Sequence, residues 1–134
     1  MSTERLLLDT HALLWWQAES DRLSRRAASA IAGADRVWIS TISLWEVATL
    51  TRLGRVVLDR PIDRWATDLL ADPVESIDVD SRVAVEAGSL VDFHGDPADR
   101  IIYSTAKAHS MVLVTKDRRI SHHSAADGSV SVVW

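Results

Sequence analysis

Cysteine does not occur in the 134-residue sequence, and its absence removes disulfide bonds, thiolate metal sites and a thiol nucleophile at once. Any metal ion must be held by oxygen or imidazole. Long apolar runs are also missing: no uninterrupted stretch approaches the ~18 residues that a membrane span requires, so no membrane association is expected. The apolar N-terminal stretch is broken by Asp9, Thr10 and His11 and lacks a basic leader with a small-residue cleavage site. It does not read as a signal peptide, and the expected address is cytoplasmic. An excess of positive charge is lacking as well. The formal net charge is -4, which argues against holding nucleic acid by bulk positive potential. A phosphate-bearing substrate would need local help, either from a cation bound among the acids or from Lys116, Arg118, Arg119, His122 and His123 beside Asp117. The plainer reading of those basic residues is a solvated surface loop.

What is present is ordinary globular composition, 47% apolar and 25% charged, which places the chain among folding sequences rather than disordered ones. The length suits one domain over residues 1–134, with no repeat, low-complexity tract or linker. Short apolar runs at Arg5–Leu8, Val37–Ile39 and Met111–Val114 have the length of buried strands. Val130–Trp134 reads as a last strand after the Asp127-Gly128 turn, and the segment from Pro73 to Val79 as a short one. Between them lies helical spacing at Leu23 to Ile31, Leu44 to Leu50 with Gly54 as a stop, Ile62 to Leu70, Ser81 to Val91 and Ala98 to Ala108. Strands alternating with helices predict a parallel sheet covered on both faces. Three of the strands run directly into a hydroxyl or carboxylate, at Asp9-Thr10, Ser40-Thr41 and Thr115-Lys-Asp117. In open α/β sheets the ligand site lies outside the carboxyl ends of the strands, where such residues converge.

Each acid has a structural explanation when taken alone. Asp9 can cap the helix that starts at Thr10. Ser43-Leu-Trp-Glu46 matches a capping box. Asp96-Pro-Ala-Asp99 reads as cap, first-position proline and first-turn acid, and Asp117 suits a turn. The joint pattern is harder to explain by capping, because a cap needs one acid per helix and not acids that face each other. If Asp9, Glu46, Asp99 and Asp117 converge, repulsion raises their pKa values or demands a divalent cation. Oxygen ligation suits Mg²⁺ or Mn²⁺ over zinc, and such an ion grips a phosphate oxygen and activates a water, so phosphodiester hydrolysis is the natural chemistry. Thr10, Ser40 and Thr115 are placed to orient the carboxylates, unless they are simple caps. His11 and His94 could approach the acids. None of the five histidines has a spacing that argues for zinc, and surface or substrate contact is the expected role.

The segments Leu6-Leu-Leu-Asp-Thr-His11, Ile39-Ser-Thr-Ile-Ser-Leu-Trp-Glu46, Gly95-Asp-Pro-Ala-Asp-Arg-Ile-Ile102 with Thr105-Ala106, and Leu113-Val-Thr-Lys-Asp117 resemble the successive motifs of PIN-domain ribonucleases. The toxin halves of VapBC toxin-antitoxin pairs are the nearest likeness. The resemblance covers essentially the whole chain, with the motifs in order. It implies a three-layer α/β/α sandwich around a five-stranded parallel sheet, Mg²⁺- or Mn²⁺-dependent cleavage of RNA, homodimerisation and inhibition by a cognate antitoxin. It assigns the family acids, as catalytic residues and metal ligands, to Asp9, Glu46, Asp99 and Asp117. Asp96 is kept as a cap or outer-shell member, and Lys116, Arg118 and Arg119 as substrate-binding residues.

Two other readings compete. A phosphatase of the haloacid dehalogenase type also sets an aspartate after its first strand, but it needs a second aspartate two residues on, where His11 stands. A PIN-like module that binds RNA or a partner without cutting is the non-enzymatic alternative, and the presence of all four acids speaks against it. Trp15 and Trp16 point about 100° apart on a helix, so one of them, with Leu13 and Leu14, could form a groove or dimer patch.

Overall fold

The computed structural model describes residues 4–72 and 74–134. The first strand, β1 (Leu6–Leu8), is followed by α1 (Thr10–Gln17) and α2 (Arg25–Ala32). Next, β2 (Val37–Ser40) leads into α3 (Thr41–Arg52) and α4 (Ile62–Leu69), and β3 (Val74–Ile77) into α5 (Ser81–Ser89) and α6 (Pro97–Ala108). Finally β4 (Val112–Val114) leads into α7 (Arg118–Asp127) and β5 (Val132–Val133). The strands form one five-stranded sheet in the order β3-β2-β1-β4-β5, and every neighbouring pair is parallel. This is the predicted α/β/α sandwich. Pro73, the first residue of the strand expected at 73–79, lies outside the described residues.

The side-chain alternation of the central strands divides the core. Leu6 and Leu8 of β1 and Val112 and Val114 of β4 face one side, where they pack with Leu13, Ile31, Val47, Trp65 and Leu69 from α1 to α4. Leu7 and Leu113 face the other, with Ile102, Tyr103 and Ala106 of α6 and Ile120 of α7. Near-continuous apolar runs are what a parallel strand buried on both faces requires. Leu7, Leu8, Leu113 and Val114 are wholly inaccessible, each contributing roughly 1.5–3 kcal/mol by burial. The chain leaves β1 toward β2 on one side and returns to β4 on the other, so the strand order reverses between β1 and β4. That reversal opens a crevice at their carboxyl ends.

Two local expectations are corrected. The basic stretch after Asp117 is not a loop but α7, whose N-cap Asp117 accepts from the Arg119 N–H at 2.8 Å. Its inner face consists of only Ile120 and Ser124, too few apolar residues for a helical period to stand out, and Gly128 ends it at φ 73°, a left-handed conformation that glycine adopts at little cost. Ser43 and Glu46 form no capping box. The cap of α3 is Ser40, whose Oγ accepts from the Ile42 N–H at 3.1 Å, while Ser43 is buried inside the helix and its Oγ accepts from the Thr10 hydroxyl at 3.0 Å. Glu46 therefore lies in the body of α3. Of the expected apolar patch, Leu13 is fully buried and Trp16 packs on the core, which leaves Leu14 and Trp15 to line an open groove.

The segment joining α5 to α6 is irregular, and Arg100 of α6 holds it. Its Nε donates to the Ala87 carbonyl at 2.9 Å and Nη2 to that of Leu90 at 2.6 Å. Its Nη1 donates to the Phe93 and His94 carbonyls at 3.1 and 3.2 Å. A guanidinium fork serves several acceptors from one rigid plane, whereas an ammonium cannot reach all of them. Arg100→Lys should cost about 2 kcal/mol in urea unfolding and speed amide exchange across residues 90–94. A change below about 0.5 kcal/mol, the level of an ordinary surface substitution, would remove the clamp from this account.

Candidate functional site

The crevice between β1 and β4 is bounded by the first residues after each strand. Asp9 is 5% exposed and caps α1, its Oδ1 accepting from the Ala12 N–H at 2.7 Å. Its other oxygen accepts from the Thr115 hydroxyl. The same Thr115 oxygen accepts from the Asp117 N–H at 3.1 Å, so one buried hydroxyl ties the two aspartates together across the gap. Thr10 and Ser40 are turned to other work, the contact with Ser43 and the cap of α3 described above.

Helix α6 brings the third acid. Asp96 caps it, accepting from the Asp99 N–H at 3.1 Å with Pro97 in the first turn, and Asp99 thereby projects beside Asp117. One oxygen each of Asp99 and Asp117 and one ring nitrogen of His94 lie within 4.8 Å of one another. His94 Nε2 is 3.4 Å from Asp99 Oδ2 without making a hydrogen bond, so this buried nitrogen has no partner. Its other ring nitrogen accepts from the Asp96 N–H at 3.4 Å. Glu46 reaches the edge from α3, and its Oε1 is likewise buried with no hydrogen-bond partner.

The electrostatics register this crowding. Asp99 is pushed up to about 7, first by burial and then by the charges of Asp96, Asp117, Asp9 and Glu46. Asp9 is raised chiefly by burial, against the lowering effect of its Thr115 and Ala12 hydrogen bonds, and the charge of Asp117 adds to the rise. At Asp117 burial pulls upward, but the hydrogen bonds and charge of Arg119 outweigh it and the carboxyl is held low. Burial and the positive charge of Arg119 lower His94, which keeps its ring neutral at neutral pH. The contact with Asp99 is then not an ion pair.

Positive charge rims the acids. Arg119 pairs with Asp117 at 3.0 Å, Arg118 is exposed on the first turn of α7, and the Lys116 ammonium sits 5.7 Å from the centre of the Trp15 ring. The sequence names these residues and the acids as candidates, and of the four acids the structure brings ligand atoms of Asp99 and Asp117 together with His94. The sequence reading granted His94 only a possible approach, and it missed the role of Arg100; the single signal for either was their place beside the Asp-Pro-Ala-Asp segment. Hard carboxylate oxygens, a buried Glu46 oxygen without a partner among them, form a donor set that fits a divalent cation.

Comparison with known proteins identifies the family and the fold. Residues 6–126 match the PIN domain family. The chain is 44% identical over 119 residues to the curated Ribonuclease VapC22 of Mycobacterium tuberculosis, covering 88% of this chain and 91% of that protein. Its fold is similar to that of a chain in a toxin-antitoxin complex from Klebsiella pneumoniae, with TM-score 0.62, 22% identity and coverage of 87% and 90% of the two chains. It is also similar to a chain of a DNA-bound VapBC from Salmonella typhimurium, with TM-score 0.63, 18% identity and 97% coverage of each.

The raised Asp99 has a consequence for stability without metal. Because its folded-state pKa lies above the unfolded value of 3.8, its ionisation penalises the folded state. The penalty is absent below pH 4, grows as pH rises from about 4 to about 7 and is complete above that. In EDTA, Asp99→Asn should therefore stabilise the protein at pH 7.5 by about 1–2 kcal/mol after allowance for solvent screening, and flatten the pH dependence between 4 and 7. Urea unfolding across that range checks it. A variant no more stable than the parent would mean that Asp99 ionises freely.

Proposed function

We propose, from the premise that the chain belongs to the PIN-domain family and to its VapC-type branch, that it is a metal-dependent endoribonuclease acting as the toxin of a toxin-antitoxin pair. The nuclease domain spans residues 1–134. The observation that supports the reading is the crowding of acids at the β1–β4 crevice, where ligand atoms of Asp99, Asp117 and His94 lie within 4.8 Å of one another and the charges of Asp117, Asp9 and Glu46 add to the rise of Asp99 that burial begins.

In this reading Asp9, Glu46, Asp99 and Asp117 hold Mg²⁺ or Mn²⁺. A divalent ion so held polarises a phosphodiester oxygen and lowers the pKa of an attacking water. The chain's own residues do the rest. Thr115 and the Ala12 N–H fix the Asp9 carboxylate in one orientation, and Asp96 fixes the first turn of α6 and with it Asp99. Lys116, Arg118 and Arg119 bind the RNA backbone by neutralising phosphates locally, which the net charge of -4 cannot do globally.

The cognate antitoxin is the proposed protein partner. A groove of about 770 Å³, lined by Leu14, Trp15, Leu50 and Leu58, runs up to Glu46 and Asp96, so a segment lying in it would reach the edge of the acid cluster at Glu46 and hinder the substrate there. Exposed apolar side chains at Trp45, Val85 and Val91 offer area to a second copy in a homodimer. Among the described residues no helix is long and apolar enough to cross a membrane, and the proposed location is the cytoplasm.

The test uses the near-equal capping ability of asparagine and aspartate. Purified protein should cleave single-stranded or structured RNA with Mg²⁺ or Mn²⁺ and stop in excess EDTA. Asp9→Asn should keep α1 capped and stabilise the metal-free protein by roughly 1 kcal/mol. It should lose most of the stabilisation that Mg²⁺ gives the parent, with cleavage falling at least about a hundredfold. RNA binding without cleavage under any metal would instead support the non-catalytic module. A variant with full Mg²⁺ stabilisation and full activity would take Asp9 out of the site.

A further inference from the structure

Next to the acid cluster lies a second hollow, of about 620 Å³. It falls within the range of about 300–1,000 Å³ typical of small-ligand sites. Its wall is aromatic. The Phe93 ring stacks on His94 with centroids 4.8 Å apart and meets His123 edge-on at 5.0 Å. Behind it Tyr103 packs against both Phe93 and His123, at 5.2 and 5.0 Å. Arg100 fixes this wall through the Phe93 and His94 carbonyls, and its guanidinium lies 5.9 Å from the Phe93 ring centre. The opposite side is α7, presenting Arg118, Arg119, His122 and Ala126. Asp92 is the one acid of the lining, set against two arginines.

Two lining residues join the hollow to the acids. Arg119 pairs with Asp117, and His94 stands 3.4 Å from Asp99. A strand of nucleic acid whose phosphate lies at the carboxylates therefore has an adjoining nucleotide at the mouth of the hollow. Flat rings with cationic and imidazole edges suit an unpaired base, which proteins take from single-stranded RNA by stacking it on aromatic, histidine or guanidinium planes. We infer that this hollow between the Phe93–His94 segment and α7 is a base-binding subsite, which takes one unstacked nucleobase of single-stranded RNA next to the cleaved phosphate.

The inference rests on the ribonuclease reading, and the experiment separates the two. The full chain is given a mixed-sequence single-stranded oligoribonucleotide, and the cleaved position is mapped in Mn²⁺. The same oligonucleotide is then made with an abasic ribose at each position in turn. Binding is read by fluorescence anisotropy in EDTA and cleavage in Mn²⁺. One abasic position beside the cut should weaken both by about tenfold, within the range of one stacked base. Ala126→Phe, which fills the hollow from an exposed helical position, should weaken the intact RNA by a similar factor and lose its sensitivity to that abasic site, with Mn²⁺ affinity unchanged. His122→Ala, at another exposed position of α7, carries the same comparison should the phenylalanine disturb folding. Cleavage that is indifferent to every abasic position, or variants as sensitive as the parent, would overturn the subsite and leave the nuclease standing. A parent protein that neither binds nor cuts RNA would overturn both.

Discussion

Carboxylates repel, and this fold gathers Asp9, Glu46, Asp99 and Asp117 around one crevice at the end of β1 and β4. At Asp99, pushed up to about 7 first by burial, the neighbouring charges add to the cost; at Asp9, buried to 5% exposure, burial dominates and Asp117 adds to it. Much of the surrounding structure restrains these groups. Helix N-termini face Asp9, Asp96 and Asp117 and supply N–H donors. Thr115 links two of the acids through one oxygen, and Arg119 offsets the charge of Asp117. Glu46 has no such partner for its buried oxygen, and an orphaned acceptor is costly unless something else satisfies it. In the proposed function a divalent cation would do so for the acids together.

The sheet explains why the cluster forms where it does. Parallel strands release their chains at the same edge, and the reversal of direction between β1 and β4 leaves an opening there that no connection fills. Two hollows adjoin the cluster, one bounded by α1 and α3 and reaching Glu46, the other by α7 and the segment that Arg100 clamps. In the proposed function the protein partner takes the first hollow and a base of the substrate the second.

Much of this was legible in the sequence because short apolar runs ending in Asp, Ser or Thr describe buried parallel strands feeding capped helices. Asp9 and Asp96 were readable as caps for that reason, and β1, β2 and β4 from their apolar runs. The helix α7 was not, since only Ile120 and Ser124 face inward and a mostly polar helix leaves little period to read. The local Ser43-to-Glu46 pattern offered a capping box as the structural alternative for Glu46, and the cap at Ser40 removes that alternative. His94 and Arg100 act through backbone carbonyls and loop geometry, and a one-dimensional pattern carries no sign of such contacts.

The most direct test of the central claim, that the gathered acids are a cation site, is a calorimetric titration of Mn²⁺ into the metal-free protein at pH 7 in buffers of different ionisation enthalpy, which counts protons released. Ligand carboxyls must be ionised to bind a metal, and Asp99, with its pKa of about 7, is partly protonated at that pH. The account predicts saturable binding with release of roughly half a proton per protein, a release that disappears in Asp99→Asn. No saturable binding, or binding with no proton released, would contradict it.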